Sequence, residues 1–445
     1  MTDTSTPRPQ PTAEDFVPAT DYRDPEFDRR ERARLWPRVW QMACREEELR
    51  QPGDFVVYDI LDDSILLVRN GPGRDDVAAM YNVCQHRGRR LCDQASGRLG
   101  KAIYCRFHGW QYNLHGELTQ VHFEDDWAGC LDKTGLALPK VRLERWGGWL
   151  WINQDEQSPP LLEWLGEACN FLDPFAPETM RPTWWKTILA PVNWKIVVEA
   201  FIEAYHSGAT HQSGINYRSV RMPGAVFGNH SAFFGEIGPF TDYKNDADRW
   251  VTPASMQENL WANFLHLHST LGAMVLAPGL AAMERLRSLP VETPLDVVLV
   301  RLLEYHREEH EQRGIVWPET LTVETWAMGG TDWHLFPNSI VLPTLDGALW
   351  YRVLPDRSEH DRCRFDIWSF GRFAPGQEPK VEQEIYDGFA AFQGQCAFLN
   401  EDFSNLEAVN QGVKSRGFRG ATLNPQQERT VAHFHQMLQR FLTQP

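Results

Sequence analysis

Cysteine is scarce in this chain, with eight in 445 residues, far too few for the disulfide scaffolds that hold small secreted domains together. Cys44, Cys92, Cys130, Cys169, Cys363 and Cys396 are scattered without pairing logic, which fits a reducing compartment and an expected cytoplasmic location. No run of about eighteen apolar residues occurs, so no membrane-spanning helix is expected. Positive charge is in deficit: a formal net charge of −16 argues against nucleic acid or an anionic membrane as partner. Met1–Thr12 is rich in Pro and Thr and has no apolar core of a secretory signal, so residues 1–20 are expected to be a disordered tail. Neither a Gly-rich dinucleotide motif nor a C-x4-C-x2-C run is present, which leaves nicotinamide binding and plant-type ferredoxin chemistry to other chains.

What the chain does have is ample apolar material. A 42% hydrophobic and 12% aromatic content, with 18 Trp, suffices for packed interiors, and the length is too great for one compact core. Two domains are expected, one small and one large.

Two short loops carry the strongest chemical signal. Cys84-Gln85-His86 and, 18 residues later, Cys105-Arg106-Phe107-His108 each offer one thiolate and one imidazole. Two Cys and two His from paired loops suit a [2Fe–2S] centre in which imidazoles replace two thiolates on one iron. Structural zinc is the rival, but zinc fingers usually run C-x2-C then H-x3-5-H, not C-x-H then C-x2-H. Gly109 and Gly116 follow the second loop, and Ile103-Tyr104 precedes it, the context of a small β domain closing two turns on a cofactor. Cys92, between the loops, reads as a packed thiol. Around the loops the sign of charge reverses: Arg87, Arg89, Arg90, Arg98, Lys101 and Arg106 stand against Asp93. They fit equally a solvated face, an offset to a negative cluster, or a docking patch for an acidic electron donor.

Along the chain, Asp24-Pro25-Glu26 with Phe27, Leu35 and Trp36 predicts a helix capped by Asp24 and ended by Pro37. From Trp40 to Asn153, short β-branched and aromatic runs such as Ser64-Ile65-Leu66-Leu67-Val68 predict an antiparallel β domain. Ser158-Pro159-Pro160 marks a linker. Beyond it, Pro294–Arg313 with Gly314 as stop and Gln426–Leu442 predict helices. Residues 242–330 remain unplaced, as a lid or an insertion.

A second cluster of chemistry lies at Glu199, Glu203, His206 and His211. The first three fall at i, i+4 and i+7, one face of a helix, among Ile196, Val197, Val198, Phe201 and Ile202, where carboxylates are costly to bury unpaired. A solvated helix face fits the spacing as well. His211 would point elsewhere on an unbroken helix, and Gly208 offers a place for it to loosen. His-x4-His alone fits two ordinary histidines equally.

The stretch Cys84-Gln85-His86-Arg87-Gly88, Cys105-Arg106-Phe107-His108-Gly109-Trp110-Gln111-Tyr112 and Gly116-Glu117-Leu118 resembles the Rieske non-haem iron oxygenases, in their large (alpha) subunit. The spacer is slightly longer than the family's. The resemblance implies an α+β chain: a small antiparallel β Rieske domain over 41–155, and a larger mixed catalytic domain over 156–445 with an antiparallel sheet of helix-grip type. A helix over 21–40 would pack on the catalytic domain. It implies cluster ligands Cys84, His86, Cys105 and His108, and a mononuclear Fe(II) held by His206, His211 and Asp402, the facial triad of non-haem iron oxygenases. Asp402 read alone would be a helix cap, with Glu401 beside it. Glu203, where the family mostly has Asp, is implied to bridge an iron-ligand histidine to a cluster histidine of a neighbouring copy. Glu occurs in relatives that oxidise quaternary ammonium compounds.

The activity so implied is that of a terminal oxygenase. It uses O2 and NAD(P)H-derived electrons, delivered by a ferredoxin or flavin reductase, to hydroxylate or demethylate an aromatic or other apolar molecule. A homotrimer, with or without a small beta subunit, is the implied assembly. A quaternary ammonium monooxygenase is the alternative, and a non-catalytic Rieske electron carrier or a zinc-stabilised module are those of another class.

Overall fold

The structure is a computed structural model and describes residue 12 and residues 15–235 and 240–443. Most of the tail expected at 1–20 lies outside these residues. Its described end is ordered, since Phe16–Pro18 pairs antiparallel with Gly420–Thr422. No helix among the described residues is long and apolar enough to cross a membrane.

The described residues form two compact units, Arg32–Trp164 and the remainder up to Glu31 and from Leu165. The boundaries therefore fall outside the expected 41–155. Asp24 caps the helix Pro25–Arg30, which follows a short helix Thr20–Arg23; the Asp24 side chain accepts from Glu26 N, with Pro25 in the first turn. The chain then relaxes through a π-turn, Glu31–Leu35, and a 3-10 turn at Trp36–Arg38. Trp36 and Trp40 are fully buried in the smaller unit. Gln41 donates to the Trp36 carbonyl at 2.7 Å, and Trp40 Nε1 donates to the Pro159 carbonyl at 2.9 Å. These bonds draw both flanks into the unit and move its edges outward from the composition change.

The smaller unit is all antiparallel. Its seven-stranded sheet runs, in space, Gln41–Arg45, Trp149–Asn153, Lys140–Trp146, Val77–Tyr81, Asp63–Arg69, Asp54–Ile60, Ser96–Arg98. A second sheet joins Ala102–Tyr104, Gln111–Asn113 and Leu118–Gln120. Leu66, Val68, Met80, Ile103, Tyr112 and Leu118 interlock in one core with Cys84 and Cys105.

The larger unit has an eight-stranded sheet in the spatial order Gly224–Phe227, His230–Phe233, Asp332–Leu335, Ser339–Pro343, Gly347–Pro355, Cys363–Gly371, Arg181–Ala190, Gln383–Tyr386. All pairs are antiparallel except the last, which lies parallel to its neighbour. The segment that follows helix Trp194–Ala200, together with helix Ala397–Gly412, carries the chemistry. The C-terminal helix Arg429–Thr443 is buried over most of its surface, including Val431, Phe434 and Leu438. The unplaced region is mostly helical: Met256–Leu271, Ala277–Arg287, Leu295–Glu311 and Val323–Met328 follow a short hairpin. Pro294 stands at the start of the third, as expected, and Gly314 follows it at φ +70°.

Two candidate metal centres

The two cysteine–histidine loops adopt one design. In the first, Gly88 N donates to the Cys84 carbonyl (3.0 Å) and Cys84 N to the Arg89 carbonyl (2.8 Å). In the second, Gly109 N donates to the Cys105 carbonyl (3.0 Å) and Cys105 N to the Trp110 carbonyl (2.9 Å). Gly88 and Gly109 close the turns at φ +71° and +74°, a region where a Cβ is penalised. Both thiols are buried, and both imidazoles are partly exposed with ring centroids 4.5 Å apart. Trp110 stacks on His86 at 4.7 Å. The Tyr112 hydroxyl lies 3.5 Å from Cys84 Sγ and accepts from Gln85 N at 3.0 Å. His86 Nδ1 is buried without a hydrogen-bond partner, and burial, then His108 and Arg87, holds this imidazole toward its neutral form. Two buried sulfurs and two imidazoles, one of them orphaned, make a donor set that fits a [2Fe–2S] cluster with mixed ligation.

The surrounding cations are more paired than the sequence suggested. Arg89 meets Asp93 at 2.7 Å, Arg90 meets Asp59 at 2.9 Å and Arg98 meets Asp54 at 2.7 Å. Arg87 lies over the exposed Phe107 ring. Strand Asp54–Ile60 supplies the two acids that proximity in sequence concealed.

In the larger unit the expected helix through Glu199, Glu203 and His206 does not exist. It ends at Ala200, Phe201 leaves helical geometry, and a single turn, Ser207–Thr210, separates His206 from His211. Glu199 is turned away: it accepts from His435 Nε2 at 2.7 Å and from the Tyr22 hydroxyl at 3.2 Å. The helix break is what allows the histidines to converge, because an intact helix would direct positions five apart to different faces.

His206, His211 and Asp402 come together as a set able to hold a metal ion. Asp402 is not a cap; it sits within helix Ala397–Gly412 and is buried. Its Oδ1 lies 3.2 Å from Nε2 of both imidazoles, yet makes no hydrogen bond of acceptable geometry. Each imidazole gives its other nitrogen to a carboxylate: His206 Nδ1 to Glu203 Oε1 at 2.5 Å, His211 Nδ1 to Glu401 Oε2 at 3.0 Å. Carboxylates only accept, so each Nδ1 carries a proton, and each Nε2 can present a lone pair to a metal ion once its own proton is lost. Three acceptors then face one another, an arrangement that a cation relieves. Burial opposes a charge on His206, but Asp402 and Glu203 outweigh it and push this imidazole up to about 10. The site thus favours positive charge, and its donor set suits Fe(II).

Glu401 and Phe398, which stacks on His211 at 3.9 Å and 10°, were not among the expected site residues. The acidic doublet Glu401-Asp402, one helix position apart, was the available signal. Glu203 Oε2 also accepts from His206 N (3.1 Å) and Tyr205 N.

A cavity of about 240 Å3 opens beside the three residues, its walls largely apolar and including Phe201, Phe233, Leu267, Leu342, Leu349 and Phe398. A second cavity, about 380 Å3, meets Glu203, His206 and Asp402 from another side, with Glu199 and Glu428 in its wall.

A family model described as ring hydroxylating alpha subunit (catalytic domain) matches residues 177–274 and 296–444, more than half of the chain. The chain belongs to this family. A Rieske [2Fe-2S] domain model matches residues 39–131. The two together imply a [2Fe–2S] cluster and a mononuclear iron as cofactors of this alpha subunit. Chlorobenzene dioxygenase subunit alpha from Cupriavidus sp. (strain PS12) is 34% identical over 201 residues, 44% of each chain, so the matched stretch spans less than half of that relative. The large oxygenase component of a naphthalene 1,2-dioxygenase system from Pseudomonas aeruginosa is 25% identical over 414 residues, 90% of this chain and 80% of the relative. Among solved structures, a quaternary ammonium Rieske monooxygenase superposes with TM-score 0.63 at 16% identity, covering 98% of this chain and 99% of the other. This likeness is one of fold.

Proposed function

We propose that the chain is the terminal oxygenase component of a multicomponent system, hydroxylating or demethylating a small aromatic or other apolar molecule with O2. The carrying observation is that His206, His211 and Asp402 converge beside a largely apolar cavity in a chain that also matches a Rieske domain. Cys84, His86, Cys105 and His108 would hold the cluster, and the other three the iron. Once bound, the cluster supplies single electrons and the iron supplies dioxygen activation.

The chain's own residues prepare that chemistry. Glu203 and Glu401 fix the tautomer and aim of the two imidazoles, the role that outer carboxylates usually play around metal-bound histidine. Phe398 holds the His211 ring flat against it. The apolar walls exclude water and bind by burial. Glu203 also borders the second cavity, which supports the reading that its carboxylate bridges to a cluster histidine of a neighbouring copy; on this reading the working unit is a ring, a homotrimer. Electrons come from NAD(P)H through a separate ferredoxin or flavin reductase, and the free cysteines suit the cytoplasm.

A quaternary ammonium monooxygenase is the second reading, supported by Glu203 in place of Asp and by the Tyr217, Phe233 and Tyr351 rings of the cavity, which suit a cation. Product analysis with a surrogate reductase and a panel of arenes, aryl methyl ethers, carnitine and choline separates the two. Oxygenated arene or ether products support the first reading; turnover of carnitine or choline alone replaces it with the second.

A further inference from the structure

One group in the cavity serves neither centre. Asp332 is 3% exposed and lines the same space as His206 and Asp402. The sheet register sets its direction. Phe233 pairs with Asp332, His334 with Ile340, Ile340 with Tyr351, and Leu342 with Leu349. Paired residues share a face and side chains alternate along a strand, so Asp332 projects on the face of Phe233, Leu342, Leu349 and Tyr351, all of which line the cavity.

Among the described residues no side chain or backbone group hydrogen-bonds this carboxyl's Oδ1, although the Tyr351 ring lies close enough to feel its charge. The Asp332 Oδ1 is buried, and burial is the sole cause that raises this group's acidity constant well above the usual carboxylate range. Two other buried acids of this unit are answered at one oxygen or more: Asp366 accepts from Arg352 and Thr187, and Asp346 Oδ2 accepts from Leu276 N. Leaving a buried polar group unpaired costs about 1–3 kcal/mol, and such groups collect where a ligand is to be met.

We propose that Asp332 is the polar anchor of the substrate cavity and that the preferred substrate is a compact apolar ring molecule carrying a hydrogen-bond donor, an N–H or O–H, that bonds this carboxyl. The inference rests on the oxygenase reading and narrows its substrate class. The size agrees: about 240 Å3 lies below the range of about 300–1,000 Å3 common for ligand pockets. Burial favours the protonated form of Asp332, whose carbonyl oxygen can accept from the donor without adding a further negative charge to the cavity. A site with one buried polar group discriminates strongly against an analogue lacking the matching group, because the mismatch leaves that group unpaired.

The test uses the fully metallated enzyme under anaerobic conditions and two probes of nearly equal shape, indole and indene, which differ by N–H against CH2. Calorimetric titration should give about tenfold tighter binding of indole. Asp332→Leu should abolish that preference and tighten indene, and Asp332→Asn, which keeps an acceptor, should retain part of it. Equal binding of the two probes by the wild type, binding of neither, or a preference that persists in Asp332→Leu overturns the anchor. Product formation from the arene panel is scored separately, so loss of the oxygenase reading is distinguishable from loss of the anchor.

Discussion

Glu203 and Glu401 hold the His206 and His211 imidazoles by their Nδ1 atoms, and on the proposed reading their removal would separate orientation from ligation. Replacing Asp402 or His206 by Ala should remove the mononuclear iron and all oxygenation while leaving the cluster's visible spectrum intact. Glu401→Gln keeps the size but lets the His211 proton move, and should weaken iron binding about 10–100-fold as measured against a competing chelator. Loss of the cluster spectrum in any of these variants would show that the two centres are wrongly divided. Asp332 makes a prediction about stability. Its folded-state pKa is raised, so the folded chain holds a proton that the unfolded chain releases, and stability falls as pH rises above about 4, the ordinary value. Asp332→Leu should therefore unfold at a higher temperature than the wild type at pH 7, with the gap narrowing on acidification. An unchanged or lower melting temperature at pH 7 would mean the carboxyl has a partner.

At the level of elements, the account turns on where helices and strands stop. The helix that precedes the loop after Ala200 is tied down at its start. Lys195 Nζ pairs with Glu31 at 2.9 and 3.1 Å, both side chains 2% exposed, and the Asn193 side chain accepts from Lys195 N. Removing one partner of a buried pair costs about 3–5 kcal/mol, so Lys195→Ala should lower the unfolding free energy by that amount in denaturant titration; a loss under 1 kcal/mol would mean the pair is not buried in solution. Much was legible before the structure: both cysteine–histidine loops, the Asp24 cap, the Pro294 start, and the triad once the family resemblance was admitted. The rest was hidden for physical reasons. Periodicity places Glu199 with Glu203 and His206, but the partners that turn it away, His435 and Tyr22, are 236 and 177 positions distant. Asp54 and Asp59, which neutralise Arg98 and Arg90, come from a strand whose register no local pattern fixes. Asp332 was invisible because an unpaired acid has no signature in sequence.

For the whole molecule, electron supply and metal content are the testable properties. Among the described residues Arg87, Lys101 and Arg106 form no ion pair, while Arg89 and Arg90 are engaged with Asp93 and Asp59. If this surface receives an acidic donor, reduction of the cluster by that donor should slow as salt rises, since exposed charges are screened beyond about 10 Å at 0.1 M. Charge reversal at Arg87 and Arg106 should slow it more than reversal at Arg89 and Arg90. Salt-independent reduction would assign the arginines a structural role. The central claim, two different iron centres in one chain, is tested most directly by iron and acid-labile sulfide analysis with a visible spectrum, on the wild type and on Asp402→Ala. The account predicts the irons and sulfides of one [2Fe–2S] cluster plus one further iron in the wild type, and loss of that one iron alone in the variant. A colourless zinc protein, or a wild type holding the cluster's iron and no more, would contradict it.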